Sequence, residues 1–464
     1  MRTHPHLLTS IKKELYDWHL WAGRVLVIAF AVIAGITIVA FTWLTEHALA
    51  NFFTVQKVYW WAPLIWTPLM TAAIVWVTLR FVPGAAGSGI PQVMAALEPQ
   101  AGGAARAMFV SLKISVAKIF LPAWGLLAGL SLGREGPSVQ VAAGIMHHAR
   151  RWLPKRAQVT EHNLLIAGGA AGIAAAFNTP LGGVMFAVEE LAKKPEQRSN
   201  GLILAAIVLG GMMAVSVNGN ASYFGVIRVD KFGAALIWPG LLVVTLCGIA
   251  GGLFSRLLIV SLGGLSLDIF SSFRRSSPVK FAAACGFGVA VLGVVSHGDT
   301  YGSGYAHTRA LLENNGDSFS LYVLFKFVAT WLTTWSGVPG GIFAPSLAIG
   351  GALGSDIAGI LSYPNAPTLI ALGMAGFLAA VTQAPLTSFI IVMEMVDGHA
   401  LVFSLMTSAM VASAISRLFS VPLYAALAEM QLMRLPAGQE KKGVPMDSPT
   451  RFVADSNDSL KKAP

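Results

Sequence analysis

A single carboxylate, Glu135, lies on a glycine-flanked break in an otherwise apolar stretch of chain. The stretch reads SLGREGPSVQ over residues 131–140, with a proline after the second glycine. Within a membrane an ionisable side chain costs about 2.5–3.5 kcal/mol on insertion scales, so it is a functional candidate by default. An ion pair with the neighbouring Arg134 is the structural alternative, but adjacent side chains on a helix do not face each other. The pattern therefore favours a functional carboxylate.

Two other interrupted apolar segments carry groups that could bind an anion. GSGIP, at 87–91, offers the hydroxyl of Ser88, and GGIFAP, at 340–345, offers the backbone N–H groups of Ile342 and Phe343. A helix that begins inside the membrane directs its free N–H groups and the positive end of its dipole inward. Such a helix start binds an anion without a full positive charge.

The elements that must position these groups are membrane-spanning helices. The chain of 464 residues is 55% hydrophobic and only 12% charged, whereas a soluble protein carries about 25% charged residues. Crossing the hydrocarbon core takes about 20 apolar residues. Long apolar runs of at least this order occupy 25–44, 58–79, 199–227, 232–255, 326–355, 357–393 and 398–416. The sequence predicts a polytopic helical membrane protein without a removable signal peptide.

The charge and cysteine content exclude several other classes of protein. The formal net charge is +10, but basic residues cluster between the apolar runs, at 147–156, 192–198 and 273–280. This is the pattern of cytoplasmic loops under the positive-inside rule, so no nucleic-acid partner is predicted. The chain has only 2 cysteines, which indicates neither a disulfide framework nor a metal cluster. No cofactor and no metal site are predicted.

One membrane domain accounts for nearly all of the chain. Residues 1–20 form a predicted cytoplasmic lead-in, and 21–430 form a single transmembrane domain. The polar segment 431–464 is a tail too short for a folded regulatory domain. The predicted halves of the domain are roughly 21–218 and 219–430.

The two halves are predicted from an internal repeat. GREGPSVQVAAG begins at Gly133 and GIFAPSLAIGGA at Gly341, 208 positions apart. PLGGVMFAVEE begins at Pro180 and PLTSFIIVMEM at Pro385, 205 positions apart, and a GSG tripeptide also recurs in the same order. Internal duplication is typical of secondary transporters, whose sites lie near the midplane between the repeats. Sequence matching leaves open whether the halves are parallel or inverted.

The repeat also pairs two glutamates, because Glu189 aligns with Glu394. A residue type that recurs in both halves favours a structural role, such as capping backbone amides. The role of one lysine is left open by the sequence. Lys118 lies in an apolar stretch, where it either adds positive potential to an anion path or extends its ammonium group to the membrane surface.

The longest motifs closely resemble signature segments of the CLC chloride channel and transporter family. The matching segments are GSGIPQ at 87–92, GREGPSVQ at 133–140, FNTPLGGVMFAVEE at 177–190, GGIFAPSLAIG at 340–350 and VPLYAAL at 421–427. The resemblance implies an all-α integral membrane fold with two inverted halves of tilted and broken helices. It also implies a homodimer with one ion pathway per subunit.

The resemblance assigns chloride-binding roles to four residues. Ser88 and Tyr424 are expected to coordinate the central chloride through their hydroxyls, and Ile342 and Phe343 through their backbone amides. The structural alternatives are a turn-stabilising role for Ser88 and an interfacial position for Tyr424.

Two glutamates carry the proton under the same resemblance. Glu135 is the expected gate, a carboxylate that competes with chloride for one site and leaves when protonated. Glu190 is the expected inner proton-transfer group, and a helix-end carboxylate at a water interface is its alternative. Because channel members of the family usually lack a carboxylate at that position, Glu190 favours chloride/proton exchange, in a bacterial inner membrane, over a passive chloride channel.

Other classes of function fit the sequence poorly. An intramembrane enzyme would need a buried nucleophile–histidine pair or a zinc-type histidine cluster. The histidines outside the first 20 residues are scattered, several near segment ends, and no HExxH motif occurs. A cation transporter would need more carboxylates near the midplane. The protein is therefore predicted not to be an enzyme.

Overall fold

The computed structural model describes residues 18–154, 159–192, 200–219, 224, 234–264, 268–313 and 321–433. The regular elements in this part of the chain are helices, numbered here in chain order. The first half contains α1 (Trp18–Val58), α2 (Pro63–Phe81), α3 (Ile90–Leu97), α4 (Gly103–Phe109), α5 (Leu112–Leu127), α6 (Glu135–Ala149), α7 (Glu161–Phe177), α8 (Pro180–Phe186) and α9 (Asn200–Asn218). The second contains α10 (Ile237–Gly263), α11 (Ile269–Ser276), α12 (Pro278–Val295), α13 (Tyr305–Leu312), α14 (Tyr322–Ser336), α15 (Phe343–Ile360), α16 (Ala366–Thr382), α17 (Pro385–Met395), α18 (Val402–Ser416) and α19 (Leu423–Met433).

Seven helical segments in the described residues are long and apolar enough to cross a membrane. This confirms an all-α, multi-pass integral membrane protein. Most of the lead-in and the segment from residue 434 onward lie outside the described residues, so the predictions for the two ends of the chain stay predictions.

Two of the apolar runs are not continuous helices, and the first of them breaks near the predicted interruption at GGIFAP. Within 326–355, α14 ends at Ser336 and α15 begins only at Phe343. Gly337 between them has a φ of 91°, a left-handed conformation that ends helices. Within 357–393 the chain likewise passes through three separate helices. Hydropathy records burial in apolar surroundings but not the glycine and proline breaks inside a run.

The halves meet at a backbone bridge between equivalent residues. Gly133 N–H donates to the Gly341 carbonyl at 2.8 Å, and Gly341 N–H donates to the Gly133 carbonyl at 2.7 Å. These two glycines begin the repeated motifs, and their pairing is antiparallel. A residue paired in this way with its own repeat counterpart lies beside a local twofold axis. Helices α6 and α15, which start just after the bridge, therefore belong to inverted halves.

The same symmetry continues through the next elements of each half. Helix α7 ends at the left-handed residue Asn178, with a φ of 59°, and α16 ends at Gln383, with a φ of 60°. The following helices, α8 and α17, both begin with proline, at Pro180 and Pro385. Proline suits the first turn of a helix because its missing N–H would have no partner there. The sequence repeat is thus a repeat of helix boundaries.

Glu189 and Glu394 cap helix starts in opposite halves. The Glu189 carboxylate accepts hydrogen bonds from the N–H groups of Leu386 and Thr387, at 3.1 and 2.7 Å. The Glu394 carboxylate accepts from the N–H groups at positions 181 and 182, at 3.2 and 2.8 Å. A carboxylate at a helix N-terminus satisfies free N–H groups and complements the helix dipole. The expected structural role of this pair takes the form of a reciprocal clamp between the halves.

Lys118 has a counterpart 208 positions later, Lys326, and both are fully buried. The ammonium of Lys118 donates to the carbonyls of Ala85 and Gly87. That of Lys326 donates to the carbonyls at positions 300 and 302, at 2.9 and 2.7 Å. Each lysine thus holds the GSG loop of its own half. The alternative in which Lys118 extends to the membrane surface is wrong, because its ammonium is bonded inside the protein.

Candidate functional site

Three of the sequence-predicted residues meet around one small cavity. Ser88, Ile342 and Tyr424 line a space of about 80 Å³. Ser88 precedes α3, Ile342 precedes α15 and Tyr424 lies in the first turn of α19. The start of helix α3 is capped by a side chain, because the amide oxygen of Gln92 accepts a hydrogen bond from the N–H of Gly89 at 2.9 Å. The cavity thus lies where helices from distant parts of the chain begin.

Both hydroxyls at this cavity lack a hydrogen-bond partner among the described residues. Ser88 Oγ and Tyr424 Oη are buried and lie close enough to interact with each other, but neither makes a well-aligned hydrogen bond. Tyr424 is 1% exposed, so it is not an interfacial aromatic, and Ser88 does not stabilise a turn through its hydroxyl. A buried polar group without a partner is costly. Two such hydroxyls side by side are chemically able to donate to one anion.

Backbone amides add two more donors beside these hydroxyls. Ile342 caps α15 and Phe343 is its first residue, and within the described chain neither N–H donates to a carbonyl outside the helices. The first N–H groups of an α-helix have no acceptor within the helix. The Phe343 ring stacks on the Tyr424 ring, with centroids 5.9 Å apart and an interplanar angle of 11°. This ring contact holds the start of α15, and with it the two amides, next to Tyr424.

Glu135 lies at the start of α6 and is completely buried. Its Oε2 has no hydrogen-bond partner in the described residues. Residues larger than glycine at the two flanking positions would overlap with neighbouring side chains. A Cβ on Gly133 would lie 2.1 Å from Glu135 Oε2, and a Cβ on Gly136 would lie 2.3 Å from Ser88 Oγ. The glycines of the motif therefore let the carboxylate and the Ser88 hydroxyl pack against bare backbone.

Tyr305 contacts the other carboxylate oxygen of Glu135. The sequence analysis did not identify this residue. Its hydroxyl donates to Glu135 Oε1 at 2.7 Å. The guanidinium of Arg134 lies over the Tyr305 ring, 5.9 Å from its centroid. Arg134 also pairs with Glu46, with an Nη1–Oε1 distance of 2.9 Å. A surface ion pair between Arg134 and Glu135 is thus excluded. The nearest sequence signal for Tyr305 was its position directly after the second GSG.

Glu190 lies apart from this cluster, in a π-helical turn at Ala187–Leu191 that follows α8. Its side chain is half-buried. Its charge, like that of Glu135, lies close enough to influence the phenol of Tyr424. A π-turn interrupts regular α-helix pairing and is frequent at functional sites.

Arg274 lines the same cavity as Ser88 and Tyr424 and was also missed. Its Nη1 donates to the Ser261 carbonyl at 2.9 Å. A fixed guanidinium in the wall of a low-dielectric cavity raises the local concentration of anions. In the part of the chain that the structure describes, no group of three or more metal-ligating side chains is present.

Comparison with known proteins identifies the family. The model of the voltage-gated chloride channel family matches residues 70–417. The chain belongs to this family. It is 30% identical, over 82% of its length and 81% of the relative's, to the H⁺/Cl⁻ exchange transporter ClcA of Citrobacter koseri. It is also 30% identical to the ClcA of Cronobacter sakazakii, over 88% of its length and 90% of the relative's.

Solved structures of the family share the fold. A slow cyanobacterial Cl⁻/H⁺ antiporter aligns with a TM-score of 0.76 at 23% identity, over 89% of this chain and 98% of that one. A CLC-type fluoride/proton antiporter aligns with a TM-score of 0.72 at 20% identity, over 91% and 99% of the two chains. These likenesses place the inverted helical halves of this chain in the CLC architecture.

Proposed function

We propose that the protein exchanges chloride for protons across the membrane. The observation that carries the proposal is the pair of unbonded, buried hydroxyls on Ser88 and Tyr424, beside the free amides of Ile342 and Phe343. The two amides can only donate and the two hydroxyls are free to donate, so the four groups together suit an anion. The relatives named as H⁺/Cl⁻ exchangers support chloride as that anion. Because all these groups come from one chain, each subunit of the expected homodimer would contain its own pathway.

Glu135 acts as the gate in this proposal. Its carboxylate is itself an anion beside donors that suit chloride, so the two compete for the same place. Protonation neutralises the carboxylate, weakens its hold on the donors and frees the site for chloride. Competition between one carboxylate and chloride is sufficient to couple the two ions.

Tyr305 holds the gate in its closed position. Its hydroxyl can donate to the charged carboxylate of Glu135, and a hydrogen bond to a charged group contributes about 1.5–3 kcal/mol. This bond holds the carboxylate in place and opposes its release. Arg134, stacked over the ring, fixes the orientation of the phenol.

Glu190 passes protons between the inner solution and Glu135 in this proposal. It lies in a π-helical turn separate from the helix start that carries Glu135, so the chloride and proton routes can diverge on the inner side of Tyr424. The basic loops predicted between the spans set this inner side as the cytoplasm, in a bacterial inner membrane.

Flux measurements on reconstituted protein test the proposal. Liposomes containing the purified protein and a chloride gradient are monitored for chloride efflux and external pH. We expect chloride to drive protons uphill, and Glu190→Gln to abolish proton movement while chloride flux persists. Glu189→Gln is the matched control, because its carboxylate caps α17 and faces no ion route, so it should retain coupling.

Each other result has a definite meaning. Chloride flux without proton movement in the unchanged protein would make it a passive chloride channel and would leave Glu190 a helix-end carboxylate. Loss of coupling in both Glu variants would remove the specific role of Glu190. Absence of chloride flux would overturn the substrate assignment.

A further inference from the structure

A second cavity, distant from the chloride site, is lined by basic side chains. It has a volume of about 530 Å³ and lies between α4, the start of α5 and the end of α6. Helix α6 has 15 residues, which places this end about 20 Å from Glu135 at its other end. The basic residues in the wall are Lys113, His147, His148, Arg150 and Arg151.

The basic side chains of this cavity carry more positive charge than the nearby carboxylate can neutralise. Glu161 is the nearby carboxylate, and it is already engaged by Arg150 at 2.8 Å and by Arg106 at 3.0 Å. Across the described ranges, no carboxylate lies within ion-pair distance of Lys113 or Arg151. The start of α5 adds free N–H groups at the same wall, where anions bind favourably. The cavity is therefore built for a phosphate-sized anion.

An apolar stripe on α5 leads directly into the cavity. Leu112 lines the cavity and is 42% exposed, and Val116 and Phe120 follow at four-residue intervals with 54% and 59% exposure. Residues four apart lie on one face of a helix, and in a membrane-spanning helix such a face contacts lipid chains. Trp152, 65% exposed, directly follows Arg151. Exposed tryptophans mark the depth of the headgroups.

We propose that this cavity binds the headgroup phosphate of an anionic phospholipid. Its acyl chains would lie along Leu112, Val116 and Phe120, and Lys113 and Arg151 would hold the phosphate. Basic cavities between membrane helices on the cytoplasmic side bind anionic headgroups by this charge complementarity. The continuous path from basic wall to apolar stripe selects a lipid over a free phosphate, which would contact only the wall. The proposal does not depend on the ion-exchange function.

Native mass spectrometry of the full-length protein in detergent tests this site. Dioleoylphosphatidylglycerol, dioleoylphosphatidylcholine and inorganic phosphate are titrated separately. The test variant is Lys113→Gln/Arg151→Gln, and the control is Lys280→Gln/Arg417→Gln, which removes the same charge from exposed positions elsewhere. With roughly a fivefold loss per cation, we expect phosphatidylglycerol to bind the test variant about 30-fold more weakly than the unchanged protein. The control should bind it normally.

The other results would overturn the proposal in distinguishable ways. Equal phosphatidylglycerol binding in all three proteins would show that the cavity holds no lipid. An equal loss in both variants would show a general effect of net charge. Binding of inorganic phosphate that displaces phosphatidylglycerol at similar concentrations would assign the cavity to free phosphate. Melting temperatures of both variants establish that the fold is retained, as expected for exposed side chains.

Discussion

At the residue scale, the two oxygens of the Glu135 carboxylate differ. Oε1 accepts a hydrogen bond from Tyr305, whereas Oε2 has no partner in the described chain and lies against bare backbone at Gly133. One oxygen is thus held in place by a hydrogen bond, while the other packs against backbone. In the proposed mechanism, the second oxygen is the one that accepts the proton.

Removing the Tyr305 hydroxyl should release the proposed gate more readily. In Tyr305→Phe the Glu135 carboxylate loses the donor that holds it in place, and a hydrogen bond to a charged group contributes about 1.5–3 kcal/mol. We expect chloride exchange to become roughly tenfold faster, measured as liposome chloride flux at one fixed pH.

Tyr301→Phe is the matched control for this variant. It removes a buried phenol that donates to the Ala290 carbonyl at 2.9 Å, away from the gate. A flux that rises equally in both variants would indicate a general packing effect. A flux unchanged in Tyr305→Phe would exclude any role for its hydroxyl in holding the carboxylate.

Removing the hydroxyl of Tyr424 should weaken chloride binding. A hydrogen bond to a charged partner is worth about 1.5–3 kcal/mol, so Tyr424→Phe should lower chloride affinity at least tenfold, measured by calorimetry in detergent. Tyr322→Phe is the control. Its buried hydroxyl also has no hydrogen-bond partner among the described residues, but its ring stacks on His307 and does not line the cavity. Unchanged affinity in Tyr424→Phe would remove this hydroxyl from the site.

At the element scale, the halves are joined through helix ends. The bridge between Gly133 and Gly341 aligns the starts of α6 and α15, and Glu189 and Glu394 cap α17 and α8. Helix ends are where backbone groups lack partners, so contacts there satisfy both halves at once. Among the described residues, the amides at the start of α15 beside the cavity have no backbone acceptor outside the helices, and in the proposed function they bind chloride.

Loss of either reciprocal cap should destabilise the protein to a similar extent. Glu189→Ala and Glu394→Ala each leave two N–H groups without an acceptor, at a cost of about 1–2 kcal/mol. We expect both to lower the melting temperature in detergent by comparable amounts. Glu313→Ala, which removes an exposed ion pair with Arg309, should change it little. A large effect from only one cap would contradict the symmetric clamp.

At the scale of the whole molecule, a symmetric scaffold supports an asymmetric site. Lys118 and Lys326 hold equivalent GSG loops. The first loop supplies Ser88 to the anion cavity, and the second is followed by Tyr305 at the gate. Duplication thus provided two copies of one support, and the two copies now position different groups.

This division predicts different effects for substitution of the two lysines. Lys118→Met and Lys326→Met each leave two buried carbonyls without a donor, so both should lower the melting temperature. Only Lys118→Met should also weaken chloride binding, by several-fold in calorimetry, because it loosens the loop that carries Ser88. Equal loss of chloride affinity in both variants would indicate that the lysines act through long-range charge alone.

Much of the fold and part of the site follow from the sequence by itself. Composition predicts the membrane, and the two motifs beginning at Gly133 and Gly341 predict the duplication and the helix breaks. Glycine and proline impose local backbone conformations, so their effects can be read without knowing any distant contact. The same reasoning selected Ser88, which the structure places at the cavity.

Only the tertiary structure decided which groups meet. Tyr305 and Glu135 are 170 positions apart, and nothing in the local pattern around either residue encodes their contact. The inverted relation of the halves likewise required the bridge, because a repeated motif is the same in either orientation. The exact helix ends inside the run at 326–355 also required the structure. Hydropathy averages over a window, whereas a helix ends at a single residue whose backbone conformation the surrounding helices stabilise.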